Sequence, residues 1–96
     1  MRHTYVVTYD ISNPGRLRRI FRIMLGYGEH LQYSVFRCEL NDREVVELRD
    51  RLSMVIHHKQ DQVLFVQIGP AEGKSREAFT AIGRPYEYED RRAIIA

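Results

Sequence analysis

Asp10 closes a run of strand-forming residues, His3-Thr4-Tyr5-Val6-Val7-Thr8-Tyr9-Asp10, and a helix-like stretch carrying Arg16, Arg18, Arg19 and Arg22 follows it. A carboxylate on a rigid strand tip offers the hard oxygen ligands that Mg2+ prefers, and guanidinium groups grip phosphate oxygens. Side by side, these groups would suit phosphodiester chemistry on a nucleic acid. One carboxylate is a poor magnesium site. A two-fold axis beside the strand tips would bring two copies of Asp10 together, and a shared ion could then polarise a phosphoryl oxygen and activate water.

Each of these residues also has a plainer reading. Asp10 can simply end a strand in an Asx turn, and the four arginines can be the solvated side of an amphipathic helix. Tyr9 and Phe36 suit packing better than base stacking. His30 and the pair His57-His58 have no partner at zinc-ligand spacing, which favours surface or helix-end roles. Cys38 alternates with Phe36 and Leu40 as a small buried hydrophobe would. The stretch Gly69-Pro70-Ala71-Glu72-Gly73-Lys74-Ser75 imitates a phosphate-binding loop but has three residues between its glycines where that motif needs four. It reads as a loop.

The elements that must position these groups follow from periodicity. Residues 3–9 alternate as a central strand. Asn13-Pro14 supplies a cap and a first-turn proline, and Leu17, Ile20, Phe21 and Met24 then recur at helical spacing, with Arg18, Arg19 and Arg22 on the opposite side. Gly26-Tyr27-Gly28 predicts the helix end, with glycine in a left-handed conformation. Residues 31–40 read as one extended segment, broken or bulged near Arg37 and Glu39. Asn41-Asp42-Arg43-Glu44 opens a second helix reaching about residue 57, Gln62 to Ile68 is a third strand, and Ala78 to Ile82 reads as a fourth. The apolar tail segment Ala93-Ile94-Ile95 lacks a partner within the chain and would be satisfied by a second subunit's sheet.

Ninety-six residues suffice for one domain with a modest core, so association is expected. The single cysteine and the lack of a signal-like or membrane-length apolar run predict a soluble cytoplasmic protein. Residues 1–40 carry six Arg against three acids, so the basic excess clusters around the first helix although the net charge is only +2.

Tyr9-Asp10-Ile11 after an apolar strand, the Arg-rich helix ending Gly26-Tyr27-Gly28, the string Gln32-Tyr33-Ser34-Val35-Phe36-Arg37-Cys38 and the Val63-to-Ile68 strand together resemble the CRISPR-associated Cas2 family. The resemblance covers about the first 70 residues and continues in outline to the end. It implies an α+β, ferredoxin-like sandwich: an antiparallel sheet with two helices on one face. It also implies a single domain over 1–96 whose tail, 84–96, exchanges or adds a C-terminal strand across a homodimer. The implied activity is magnesium-dependent endonuclease cleavage of single-stranded RNA or duplex DNA, in a protein that bridges CRISPR integrase dimers during spacer acquisition. Carried over by residue, Asp10 becomes the metal ligand from both subunits, and Tyr9, Arg16, Arg19 and Phe36 become helpers near substrate. His30 stands where many relatives have Arg. Two alternatives stay open: a non-catalytic adaptor that holds duplex DNA between integrase dimers, and a ribonuclease toxin of similar fold.

Overall fold

Alternation of β-branched and aromatic residues from His3 to Asp10 produces β1, which takes the centre of the sheet in the computed structural model; residues 1–87 are described. Asn13 then caps α1 (Pro14–Leu25), its side chain accepting from the Arg16 amide at 2.9 Å. The chain continues through β2 (Gly28–Gln32), β3 (Val35–Leu40), α2 (Asp42–Ser53) and β4 (Gln62–Pro70), and then a short 3₁₀ turn, Lys74–Ala78. The strand order β2-β3-β1-β4 is antiparallel throughout. Each helical crossover therefore skips one strand, the ferredoxin-like arrangement.

One face of the sheet carries both helices. Tyr5, Val7 and Tyr9 of β1 and Phe36, Cys38 and Leu40 of β3 meet Ile20 and Met24 of α1 and Leu48 and Leu52 of α2. Most of these side chains are sealed from solvent, and burial of each larger one contributes about 1.5–3 kcal/mol. The opposite face is built from the alternate residues. Val6 and Thr8 are half-buried there, while Leu64, Val66 and Ile68 of the edge strand β4 are exposed. Buried Arg37 ties β2 to β3 on this face through Glu29 at 2.8 Å and Glu39 at 2.5 Å.

Several elements differ from expectation, each for an identifiable reason. The extended segment over 31–40 is a hairpin: Tyr33 adopts φ 34° and turns β2 back into β3, and the β2–β3 register shifts between His30 and Gln32. Gly26 ends α1 in a right-handed conformation, φ −77°, because the helix closes with a tight turn from the Gly26 amide to the Ile23 carbonyl. The second helix stops at Ser53. Val55 and Ile56 still pack on the core from the connection that follows. Its start is the expected capping box, with Asn41 and Glu44 bonding reciprocally at 2.8 and 2.9 Å.

The strand expected over 78–82 does not form. Gly73 at φ 85° and the Ser75 hydroxyl, which donates to the Pro70 carbonyl, wind this stretch into the 3₁₀ turn, and Phe79 packs on Tyr86 at 5.7 Å. Ile82 is left in solvent. The tail segment Ala93-Ile94-Ile95 lies outside the described residues.

Candidate nucleic-acid site

Asp10 occupies the exposed tip of β1, opposite Gln62 of β4. Strand alternation puts it on the side of Thr4, Val6 and Thr8, the face without helices. Its neighbour Tyr9 points the other way, is only 6% exposed, and stacks on Phe36 with centroids 6.2 Å apart. Burial raises the Tyr9 phenol above its ordinary value, an effect the Ser34 side chain only partly offsets. It therefore stays protonated at neutral pH and can donate a hydrogen bond.

A latch holds the loop behind Asp10. Asp61, in the connection from α2 to β4, has a fully buried side chain that accepts from the Ser12 amide at 3.0 Å, the His57 amide at 2.8 Å, Arg16 Nε at 2.7 Å and Arg16 Nη2 at 3.2 Å. The Arg16 guanidinium and these amides hold the Asp61 carboxyl well below the usual carboxylate range. Arg16 is thus committed to fixing the loop between β1 and α1. An acid with a depressed folded-state pKa contributes its stability above the ordinary carboxylate pKa, about 4, and loses it as pH falls from there toward the depressed value. Asp61→Asn is therefore expected to melt several degrees below the wild type at pH 7, with the gap narrowing steadily below about pH 4. Thermal melts across pH 2 to 7 check this, and a gap independent of pH would dismiss the charge as its cause.

The remaining arginines separate from Arg16. Arg18, Arg19 and Arg22 are exposed on α1, with no ion pair among the described residues. Arg18 and Arg22 border a cavity of about 510 Å³ walled by Tyr9, Leu17, Phe21, Tyr33 and Ser34. Phe36 is fully buried beneath it, its ring packed among Tyr9, Phe21 and His30. The candidate residues thus divide: Asp10 on one side of the sheet tip, Arg18, Arg22 and the Tyr9 ring on the other, and Arg16 and Phe36 supporting from within.

Sequence reasoning passed over Asp61 and Tyr33. Asp61 has one local partner, the His57 amide, but Arg16 and Ser12, the partners that make it a latch, lie 45 and 49 residues away. Tyr33 had one: a large aromatic inside a short polar interruption of a strand. A cleft of about 620 Å³ near Arg2, Tyr27 and Glu44 lies at the other end of the sheet. Its charges are largely spent on one another, Arg2 on Glu44 at 2.7 Å and Tyr27 on Glu47. Among the described residues no cluster of three or more metal-ligating side chains occurs, and no helix is long and apolar enough to cross a membrane.

The family model for CRISPR associated protein Cas2 matches residues 2–75, from the start of β1 into the 3₁₀ turn. This chain belongs to the Cas2 family. A CRISPR-associated endoribonuclease Cas2 from Geobacter sulfurreducens is 37% identical, covering 99% of each chain, and one from Rhodospirillum rubrum is 39% identical over 97% of this chain and 90% of that one. Among solved structures, Streptococcus pyogenes Cas2 superposes with a TM-score of 0.72 at 30% identity, over 83% of this chain and 99% of the other. A hypothetical protein from Thermus thermophilus reaches 0.76 at 28% identity, over 93% of this chain and all of its own. The Cas2 relationship spans both candidate surfaces, the Asp10 tip and the α1 face.

Proposed function

We propose that this Cas2-family protein acts as a homodimeric, magnesium-dependent endonuclease in CRISPR immunity, with RNA as its first substrate class. The observation that carries the reading is Asp10: an exposed carboxylate on a rigid strand tip, free of ion pairs among the described residues, on the face where Leu64, Val66 and Ile68 are bare. Packing that face on a second copy would bury the apolar residues and bring the two Asp10 carboxylates toward one axis. The names of the relatives, endoribonucleases, favour RNA.

The donor set fits Mg2+, which accepts one or two carboxylates and keeps several waters. Asp10 from each protomer would hold it, and the ion would supply charge stabilisation at a phosphoryl oxygen and a water of lowered pKa. The chain's own residues do the positioning. Asp61 and Arg16 keep the loop after Asp10 in one conformation, the protonated Tyr9 phenol is available as a donor on the adjoining side, and Arg18 and Arg22 attract flanking phosphates. Loss of cleavage in Asp10→Asn tests the catalytic part.

A second reading rests on the helix itself. Arg18, Arg19 and Arg22 present charge along one exposed helix face, which suits holding duplex DNA through its phosphates during spacer acquisition, with the protein bridging CRISPR integrase dimers. Under either reading, Arg18→Glu with Arg22→Glu is expected to weaken nucleic-acid binding at least tenfold and to lower the slope of log affinity against log salt by about 2. Titrations at several salt concentrations measure this. An unchanged slope would remove the α1 face from phosphate contact.

A further inference from the structure

The cavity between α1 and the β2–β3 turn has features that phosphate binding does not need. Tyr33 is 92% exposed, and it is the one non-glycine residue among those described with positive φ, at 34°. Gly or Asn would make this turn with less strain, and strained residues of this kind cluster at functional sites. The ring gains no compensating burial. The turn is nevertheless braced: His30, packed on Phe21 and Phe36 at 5.0 Å, donates from Nε2 to the Tyr33 carbonyl at 2.7 Å, and the Tyr9 amide donates to the Ser34 carbonyl at 3.2 Å. A rigid support thus presents a bare aromatic face.

Beneath that face the cavity walls are Leu17, Phe21 and the Tyr9 ring, with the hydroxyls of Ser34 and Tyr9 as polar groups. Leu17 belongs to the apolar stripe of α1, yet it remains 38% exposed because it lines this space. Arg18 and Arg22, one helical turn apart, stand at the rim. Aromatic walls, a few hydroxyls and two unpaired cations match the three parts of a nucleotide: a flat base, its hydrogen-bonding edge and the phosphates on either side. Tyr9 and Asp10 are consecutive at the end of β1 but face opposite sides of the sheet, so a strand bound here reaches Asp10 only by passing round the strand tip.

We propose that this cavity receives one unpaired nucleobase, stacked on Tyr33, while Arg18 and Arg22 hold the phosphates flanking it. A base inside a duplex cannot enter without unpairing, so the pocket selects single strands. The pocket deepens the nuclease reading and rests on it only for the biological substrate.

The test uses a short single-stranded RNA with 2-aminopurine at successive positions, bound to the full chain in EDTA so that nothing is cut. Wild type and Tyr33→Phe are expected to quench the probe at one position. Tyr33→Gly, which removes the ring and relaxes the turn, is expected to lose the quench and about tenfold in single-strand affinity, with duplex affinity changed less than twofold and a melting temperature no lower than wild type. Leu17→Glu, which sets a carboxylate in the cavity wall, is expected to lose the quench as well, and decides the matter should Tyr33→Gly fold poorly. Unchanged quenching in the folded variants, or equal losses for single strand and duplex, would overturn the pocket. Quenching without magnesium-dependent cleavage would instead keep the pocket and discard the nuclease, whereas cleavage with Tyr33→Gly binding like wild type would do the reverse.

Discussion

Asp10→Asn is expected to reduce magnesium-dependent cleavage of single-stranded RNA by about a thousandfold while leaving the fold untouched. A metal ion at a phosphoryl group supplies several kcal/mol of transition-state stabilisation, and each 1.36 kcal/mol is worth roughly tenfold in rate. Asn keeps the size of the side chain and removes the charge that would hold the ion. Because Asp10 is exposed and has no ion pair among the described residues, the structural cost should stay within about 0.5 kcal/mol. Rates with Mg2+ and with EDTA, measured beside thermal melts, separate the two effects.

The same variant tests whether the acid works in pairs. If two protomers share one ion, a dimer with one Asn is as disabled as one with two, and randomly reassorted mixtures should retain activity as the square of the wild-type fraction. At equal amounts the shared site predicts about a quarter of full activity, and independent sites predict about half. A linear decline would place a complete site in each protomer. Full activity in the pure variant would move the chemistry away from Asp10 altogether.

Much of this architecture was legible because local chemistry and global fold agree in it. Asn13 before Pro14 and the reciprocal Asn41–Glu44 pair announce the two helix starts, and both caps form. Alternation along His3–Asp10 and Gln62–Ile68 marks strands that are indeed paired. The hairpin was hidden because Tyr33-Ser34 lacks the Asn-Gly or Asp-Gly pair that marks a two-residue hairpin turn, and tyrosine is not a residue expected at positive φ. Ala78 to Ile82 has strand-like composition, but Gly73 and the Ser75–Pro70 bond turn the chain before it can pair, and propensity does not report that.

The site was legible in part for a related reason. Helical periodicity separates Leu17, Ile20, Phe21 and Met24 from the arginines, but it cannot say which neighbours meet each face. Arg16 looked like one of four equivalent cations until Asp61 arrived from the connection before β4. Leu17 looked like core and lines a cavity instead. A contact 45 positions away decides the role of Arg16, and the β2–β3 turn carrying Tyr33 and Ser34 decides that of Leu17; a single sequence carries no record of either.

Gly28→Ala is expected to be the most destabilising one-carbon change in the molecule. Gly28 is buried in β2 directly opposite Cys38, and a Cβ there would lie 2.4 Å from Cys38 Sγ and 2.6 Å from the Arg37 carbonyl oxygen. Both distances are far inside van der Waals contact. A flexible side-chain tip could yield, but the carbonyl belongs to β3, and β3 is fixed by its register with β1. Overpacking of this kind costs about 1–3 kcal/mol, and the rigid second contact puts this case at the upper end. For a chain of this size about 3 kcal/mol is a large share of total stability and corresponds to a melting temperature lower by roughly 12 °C or more. Cys38→Ala added to Gly28→Ala removes the sulfur contact and leaves the carbonyl contact. The pair should therefore melt above Gly28→Ala alone but below the wild type, a non-additivity expected of touching residues. The hairpin that would have to move also carries Tyr33, so Gly28→Ala should weaken base quenching as it lowers stability, whereas Tyr33→Gly should weaken quenching and preserve stability. A lower melting temperature for Gly28→Ala but not for Tyr33→Gly, with binding weakened in both, would tie the β2–β3 pairing to the placement of the aromatic face. If Gly28→Ala instead melted like wild type, β2 would have room to shift, and the turn would not be held as rigidly as base stacking requires.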